Sequence, residues 1–196
     1  MANITKLEAI NSMLDAIGES PVSSLNSGLA DANLALRKLN EVSRDVQAKG
    51  WDCNSEYEFS LSKDLNGYIY LPNNVLKIDS SGVDKKTRVA QRGNRLYDLD
   101  NNTFVFTKNL VVDYVAELDY EDLPYAIRYY ILCRAGRLFQ ENAMGSVALD
   151  KFTERKEKEA LDAWLDAQSD TDDSNVLTSS SSANSIAYRN NKLWKS

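Results

Sequence analysis

The chain has 196 residues, 43% hydrophobic and 27% charged, the composition of a compact globular protein with a real core rather than of a disordered or fibrous one. With 23 Lys and Arg against 29 Asp and Glu the net charge is −6, which argues against a protein whose main task is to neutralise phosphates. Histidine is absent altogether, and with it Ser-His-Asp and Cys-His nucleophilic sites and histidine zinc sites.

Cys53 and Cys133 form no Cys-x-x-Cys, so neither a metal knuckle nor a redox motif is expected, and both are read as reduced, buried thiols. No stretch of some 18 apolar residues occurs and the start lacks a signal-peptide pattern, so no membrane partner is expected. No cofactor is implied.

Thr5 and Glu8 have capping-box spacing, and Leu7, Ile10, Leu14 and Ile17 then recur at helical period until Gly18 and Pro21 stop the run. Asp31 is placed to cap a second helix with a stripe of Ala32, Ala35, Leu39, Val42 and Val46, ended by Gly50. From Trp51 to Leu118 the period changes. Short runs at 68–71, 75–78, 87–91, 96–99, 103–106 and 110–115 predict strands, with hairpin turns at Gly93-Asn94 and Asn101-Asn102.

A third helix is predicted from Pro124 to just before Gly145, burying Ile127, Ile131, Ala135, Leu138 and Phe139. A fourth, from about Ser146 to Gln168, presents Leu149, Phe152, Ala160, Ala163, Trp164 and Ala167 around a charged middle in which Glu154 and Lys158 can pair. Beyond Gln168 the chain turns polar, with a serine run at 179–182, and is expected to be mobile. It ends on Ile186, Tyr188, Arg189, Leu193 and Trp194, which reads as a docking arm; the alternative is a frayed terminus with incidental apolar residues.

These readings predict an α+β, mainly α chain: a four-helix bundle with a small antiparallel β-sheet inserted between helices two and three, plus an extended C-terminal arm. The expected division is 1–50 for the first half of the bundle, 51–118 for the β insertion, 119–168 for the second half and 169–196 for the arm.

Leu14-Asp15-Ala16-Ile17-Gly18-Glu19-Ser20-Pro21-Val22-Ser23-Ser24-Leu25, Ala30-Asp31-Ala32 and Val46-Gln47-Ala48-Lys49-Gly50-Trp51 resemble the tail tubular protein A family, head-to-tail adaptors of short-tailed bacteriophages. Leu118-Asp119-Tyr120-Glu121-Asp122-Leu123-Pro124, then Arg128 and Ala135-Gly136-Arg137-Leu138-Phe139, is similar to the opening of that family's third helix. Gly18, Glu19, Pro21, Gly50 and Trp51 carry the motif; Ser20 departs from the proline expected there. The resemblance implies a non-enzymatic ring, usually of twelve subunits, in the virion tail. It would be made in the host cytoplasm and seated between the portal protein and the tail nozzle protein (tail tubular protein B). Tail fibres would attach at that junction, and DNA would pass through without specific binding.

Lys85, Lys86, Arg88, Arg92 and Arg95 form the densest basic segment, with Lys86, Arg88 and Arg92 on one strand face by period two. They would meet a neighbouring subunit, the nozzle, a fibre or DNA; the alternative is a solvated strand face. Asp170, Asp172 and Asp173 suggest either a DNA-repelling lumen or a charged linker. Among the aromatics, Tyr125, Tyr129 and Tyr130 read as core, and Trp51 as the buried junction of bundle and sheet. Glu117, Asp119, Glu121 and Asp122 supply the carboxylates a tail-borne peptidoglycan-degrading enzyme would need, but capping of the following helix explains them as well.

Overall fold

The computed structural model describes residues 4–144 and 154–169. Helix α1 (Lys6–Asp15) begins as the spacing predicts. The Thr5 hydroxyl accepts the Glu8 N–H while the Glu8 carboxylate accepts the Thr5 N–H, so two orphan donors of the first turn are satisfied reciprocally. Helix α2 (Ala30–Gln47) buries the predicted stripe of Ala32, Ala35, Leu39, Val42 and Val46. Asp31 does not cap it: the N-cap is Leu29, without a side-chain bond, and Asp31 lies inside the first turn, where its charge suits the helix dipole. Helix α3 (Tyr125–Met144) opens directly after Pro124, whose carbonyl accepts the Arg128 N–H. Residues 154–169 form a further helix, α4.

The four helices share one core, in which Ile10, Leu14, Leu39, Ile127, Ile131, Phe139 and Trp164 meet. Each such Leu or Ile contributes about 2 kcal/mol by leaving water. On α4 the inward positions are Glu157, Ala160 and Trp164, whereas the predicted core residues Ala163 and Ala167 are exposed. The side-chain pair along α4 is Arg155 with Glu159, not Glu154 with Lys158. Leu149 and Phe152 lie outside the described residues.

The middle of the chain overturns the expected four-helix bundle with a small inserted sheet. Five strands, β1 (Ser55–Leu61), β2 (Val75–Ser80), β3 (Val89–Arg92), β4 (Arg95–Asp98) and β5 (Leu110–Ala116), form two antiparallel sheets, ordered β1-β5-β2 and β3-β4. They have a core of their own, built from Leu61, Ile69, Leu71, Val75, Leu96, Phe106, Leu110 and Val112. Apolar residues from both sheets and from the segments between them converge on it. The β region is therefore a second packed body, not an appendage of the bundle.

β1 was absent from the sequence expectation, and the runs at 68–71 and 103–106 are reduced to isolated bridges, Tyr68 to Val105 and Asp98 to Thr103 among them. Both predicted turns form, at Gly93-Asn94 between β3 and β4 and at Asn101-Asn102. The second is tied by the buried Asp98 carboxylate, which accepts the Asp100 and Asn101 N–H groups and the Asn101 amide. β1 carries a bulge between Glu56 and Phe59, where Glu58 adopts a φ of 51° and its N–H donates to Asp113 Oδ1.

Helical and β bodies are joined by two buried amides. Gln47 Oε1 accepts the Leu118 N–H at 2.8 Å and its Nε2 donates to the Leu118 carbonyl at 3.1 Å. Asn54 Nδ2 bridges the Gln47 and Ala116 carbonyls at 3.1 and 2.8 Å, so the end of α2 and the end of β5 are held by one polar network.

Candidate functional site

The motif residues build two rigid corners. At the first, Gly18 closes α1 with a φ of 81°, and the Glu19 N–H returns to the Leu14 carbonyl. Asn11 then takes the Val22 backbone in both directions, Nδ2 to the carbonyl at 3.0 Å and Oδ1 from the N–H at 2.8 Å. Glu19, Ser20 and Pro21 are thereby held as an exposed, anchored loop. Asn11 does this work without having been singled out in the sequence; only its place on α1, facing Val22 eleven residues later, gives it the role.

At the second corner, Gly50 ends α2 with a φ of 82°, and a Cβ there would stand 3.0 Å from Val115 of β5. Trp51 is half-buried rather than buried: its indole N–H donates to the Val46 carbonyl at 2.7 Å, and its ring meets Trp164 edge-on at 5.6 Å. Both contacts tie it to the helical body, at the end of α2 and on α4. Cys53 and Cys133 are half-buried free thiols, both pushed up in pKa by burial. Of the three tyrosines, only Tyr130 is fully buried; Tyr125 and Tyr129 stack in parallel at 6.3 Å with Tyr125 exposed.

α4 is clamped by charge as well. Glu157, nearly buried, receives Arg134 at 2.7 Å and Arg137 at 2.6 Å from α3. A charge-run reading makes Glu157 a solvated residue; its spacing to Ala160 and Trp164 is the signal that places it inward.

The basic segment is not one strand face. Lys85 and Lys86 lie in a turn after a short helical turn at Gly82–Asp84, Arg88 precedes β3, and only Arg92 and Arg95 belong to strands. Lys85, Lys86 and Arg88 are exposed, and Arg88 pairs with Asp100. Arg92 and Arg95 sit opposite one another across the hairpin and lie on aromatic rings, Arg92 on Tyr97 at 3.5 Å and Arg95 on Phe104 and Tyr68 at 4.5 and 5.0 Å.

Three acids of the segment 117–122 form ion pairs. Glu117 pairs with Arg44 of α2, and Asp119 and Glu121 with Lys6. Glu121 also accepts the Lys6 N–H at 3.0 Å, so Asp119 and Glu121 serve the N-terminus of α1 rather than that of α3. Among the described residues no group of three or more Cys, Asp and Glu could hold a metal ion, and no helix is long and apolar enough to cross a membrane. The arm residues Ile186, Tyr188, Arg189, Leu193 and Trp194, and Asp170, Asp172 and Asp173, lie outside the described residues.

A family model described as tail tubular protein matches residues 7–174. The chain is also similar to tail tubular protein A of Klebsiella phage KP34, 34% identical over 119 residues. That alignment covers 61% of this chain and 62% of the relative, so the chain spans about three fifths of the curated relative it matches. The helical corners and the β body fall within the matched stretch, and on that match the chain belongs to the tail tubular protein family, as a structural protein of the phage virion tail and not an enzyme.

Proposed function

We propose that the protein is a head-to-tail adaptor: a ring of identical subunits that joins the portal protein to the tail nozzle protein, offers tail fibres a seat and leaves a channel for the genome. The observation that carries this reading is the family match across 7–174, which takes in both packed bodies. A chain with two separate cores joined by a stiff polar network can face one partner with each body, as an adaptor must. The 1–50 and 119–168 segments supply the helical body and 51–118 the β body in this reading, and the arm from Ser169 to Ser196 reaches for the portal or a neighbouring subunit.

Negative-stain microscopy of the protein mixed with its cognate portal ring tests this. The full chain is expected to add a cap of density to the portal, and a chain ending at Gln168 to keep its circular dichroism spectrum but lose the cap. No cap with either chain overturns the adaptor reading; an undiminished cap with the truncated chain overturns the arm.

A further inference from the structure

The sequence holds two blocks of opposite charge. Residues 85–95 carry Lys85, Lys86, Arg88, Arg92 and Arg95 and no acid. Residues 159–173 carry Glu159, Asp162, Asp166, Asp170, Asp172 and Asp173 and no base. Within α4, Glu159, Asp162 and Asp166 follow at i, i+3 and i+7, on the side opposite the inward Glu157, Ala160 and Trp164. Asp162 and Asp166 are exposed, and among the described residues neither forms an ion pair.

The hairpin is prepared for carboxylates. Leu96 points into the β core, which turns the opposed pair Arg92 and Arg95 to the other face, Arg92 exposed and Arg95 half-buried, with Tyr97 buried beneath Arg92. Both guanidinium groups lie over aromatic rings, and among the described residues neither has a carboxylate within 4.0 Å. Exposed Tyr70 and Val105 flank them, since Tyr70 bridges Arg95 and Val105 bridges Tyr68. Immobilised arginine beside aromatic and apolar surface is the composition of an interface centre, with little entropy left to lose on binding.

We infer that the outer face of the β3–β4 hairpin docks on the acidic outer face of α4 in a second copy of this chain. The two faces belong to separate cores, so the contact is heterologous: each copy offers its hairpin to one neighbour and its α4 to the other, an arrangement that closes into a ring when the rotation permits. This inference rests on the ring reading above and names the lateral contact within it. A duplex DNA at the hairpin, or the acidic residues of the same chain, are the competing occupants.

The test is charge exchange in the full chain, read by sedimentation velocity over a concentration series at low and high salt, alone and on the portal ring. Self-association is expected in the wild type and is expected to weaken with salt. R92E/R95E and D162K/D166K should each weaken it by about tenfold or more, and the chain carrying all four changes should recover it. D162K/D166K alters only exposed helix positions, so it tests the contact even if replacing the stacked arginines disturbs the hairpin. A wild type that stays monomeric both alone and on the portal overturns the ring reading and this contact with it. A wild type that assembles while both reversed chains assemble equally overturns the contact alone, as does failure of the fourfold exchange to recover association. Concentration-independent compaction lost on reversal assigns the acids to the same chain, and a DNA shift lost in R92E/R95E with assembly unchanged assigns the hairpin to DNA; either result overturns it.

Discussion

Asp84 shows how a single buried carboxylate can organise a loop. Its side chain is almost fully enclosed, pairs with the Lys108 ammonium and accepts the Val111 N–H at 2.9 Å. The ammonium first, and then the backbone bond, hold its carboxyl below the ordinary aspartate range. A carboxyl with a depressed folded pKa adds stability that is complete above its unfolded value near 4 and disappears as the pH falls through the folded value. Asp84→Asn should therefore be less stable than the wild type at pH 7, with the difference shrinking below about pH 4. Urea titrations at pH 7, 5 and 3 measure it, and a difference constant with pH would refute the assignment. Glu157 makes the complementary case: two arginines surround one carboxylate, and removing it takes that partner from both, Arg137 keeping Glu141 at 3.0 Å. Glu157→Ala is expected to cost about 3 kcal/mol in urea unfolding, whereas an exposed acid of the same helix such as Asp162 should cost under about 0.5 when changed to alanine.

Gly18 and Gly50 close α1 and α2 with nearly equal φ, 81° and 82°, but different surroundings. A Cβ at Gly18 meets nothing within 4 Å, while one at Gly50 stands 3.0 Å from Val115. Gly18→Ala should then lose only the left-handed backbone penalty, about 1 kcal/mol, and Gly50→Ala roughly 1 kcal/mol more because β5 has to give way. Equal losses in chemical denaturation would mean that Val115 yields freely. The same contrast governs what could be read from the sequence. Helices α1 to α3 were legible because their apolar residues recur at helical period, and the hairpin turns because Gly and Asn sit at their tips. The signal of β1 was present, since Tyr57, Phe59 and Leu61 alternate with Glu56, Glu58 and Ser60, but the bulge breaks that register and leaves Tyr57 and Phe59 exposed. α4 was legible only in part: its charge run hid the inward Glu157. The basic hairpin was found as a cluster, but period two could not show that a turn separates Lys86 from β3.

At the scale of the whole molecule, two separate hydrophobic cores are joined by the hydrogen bonds of Gln47 and Asn54. Gln47→Leu keeps much of the volume but leaves the Leu118 N–H and carbonyl without partners, at a cost of about 2 kcal/mol or more. The wild type is expected to unfold in one calorimetric transition and Gln47→Leu in two; two transitions in the wild type would show that the bodies are independent from the start. The single-sheet expectation failed at this scale because strand runs reveal that a sheet exists, not how many apolar segments gather behind it. The bulge in β1 has an effect of its own. β1 is one of the two outer strands of its sheet, and an outer strand with a regular ladder invites other chains to add to it. With Glu58 turned out of register, the backbone of β1 offers a broken template for strand addition. Crowded copies of this protein are thus discouraged from merging into fibrils through that edge, and contacts made there are left to side chains, which dilution and salt can undo.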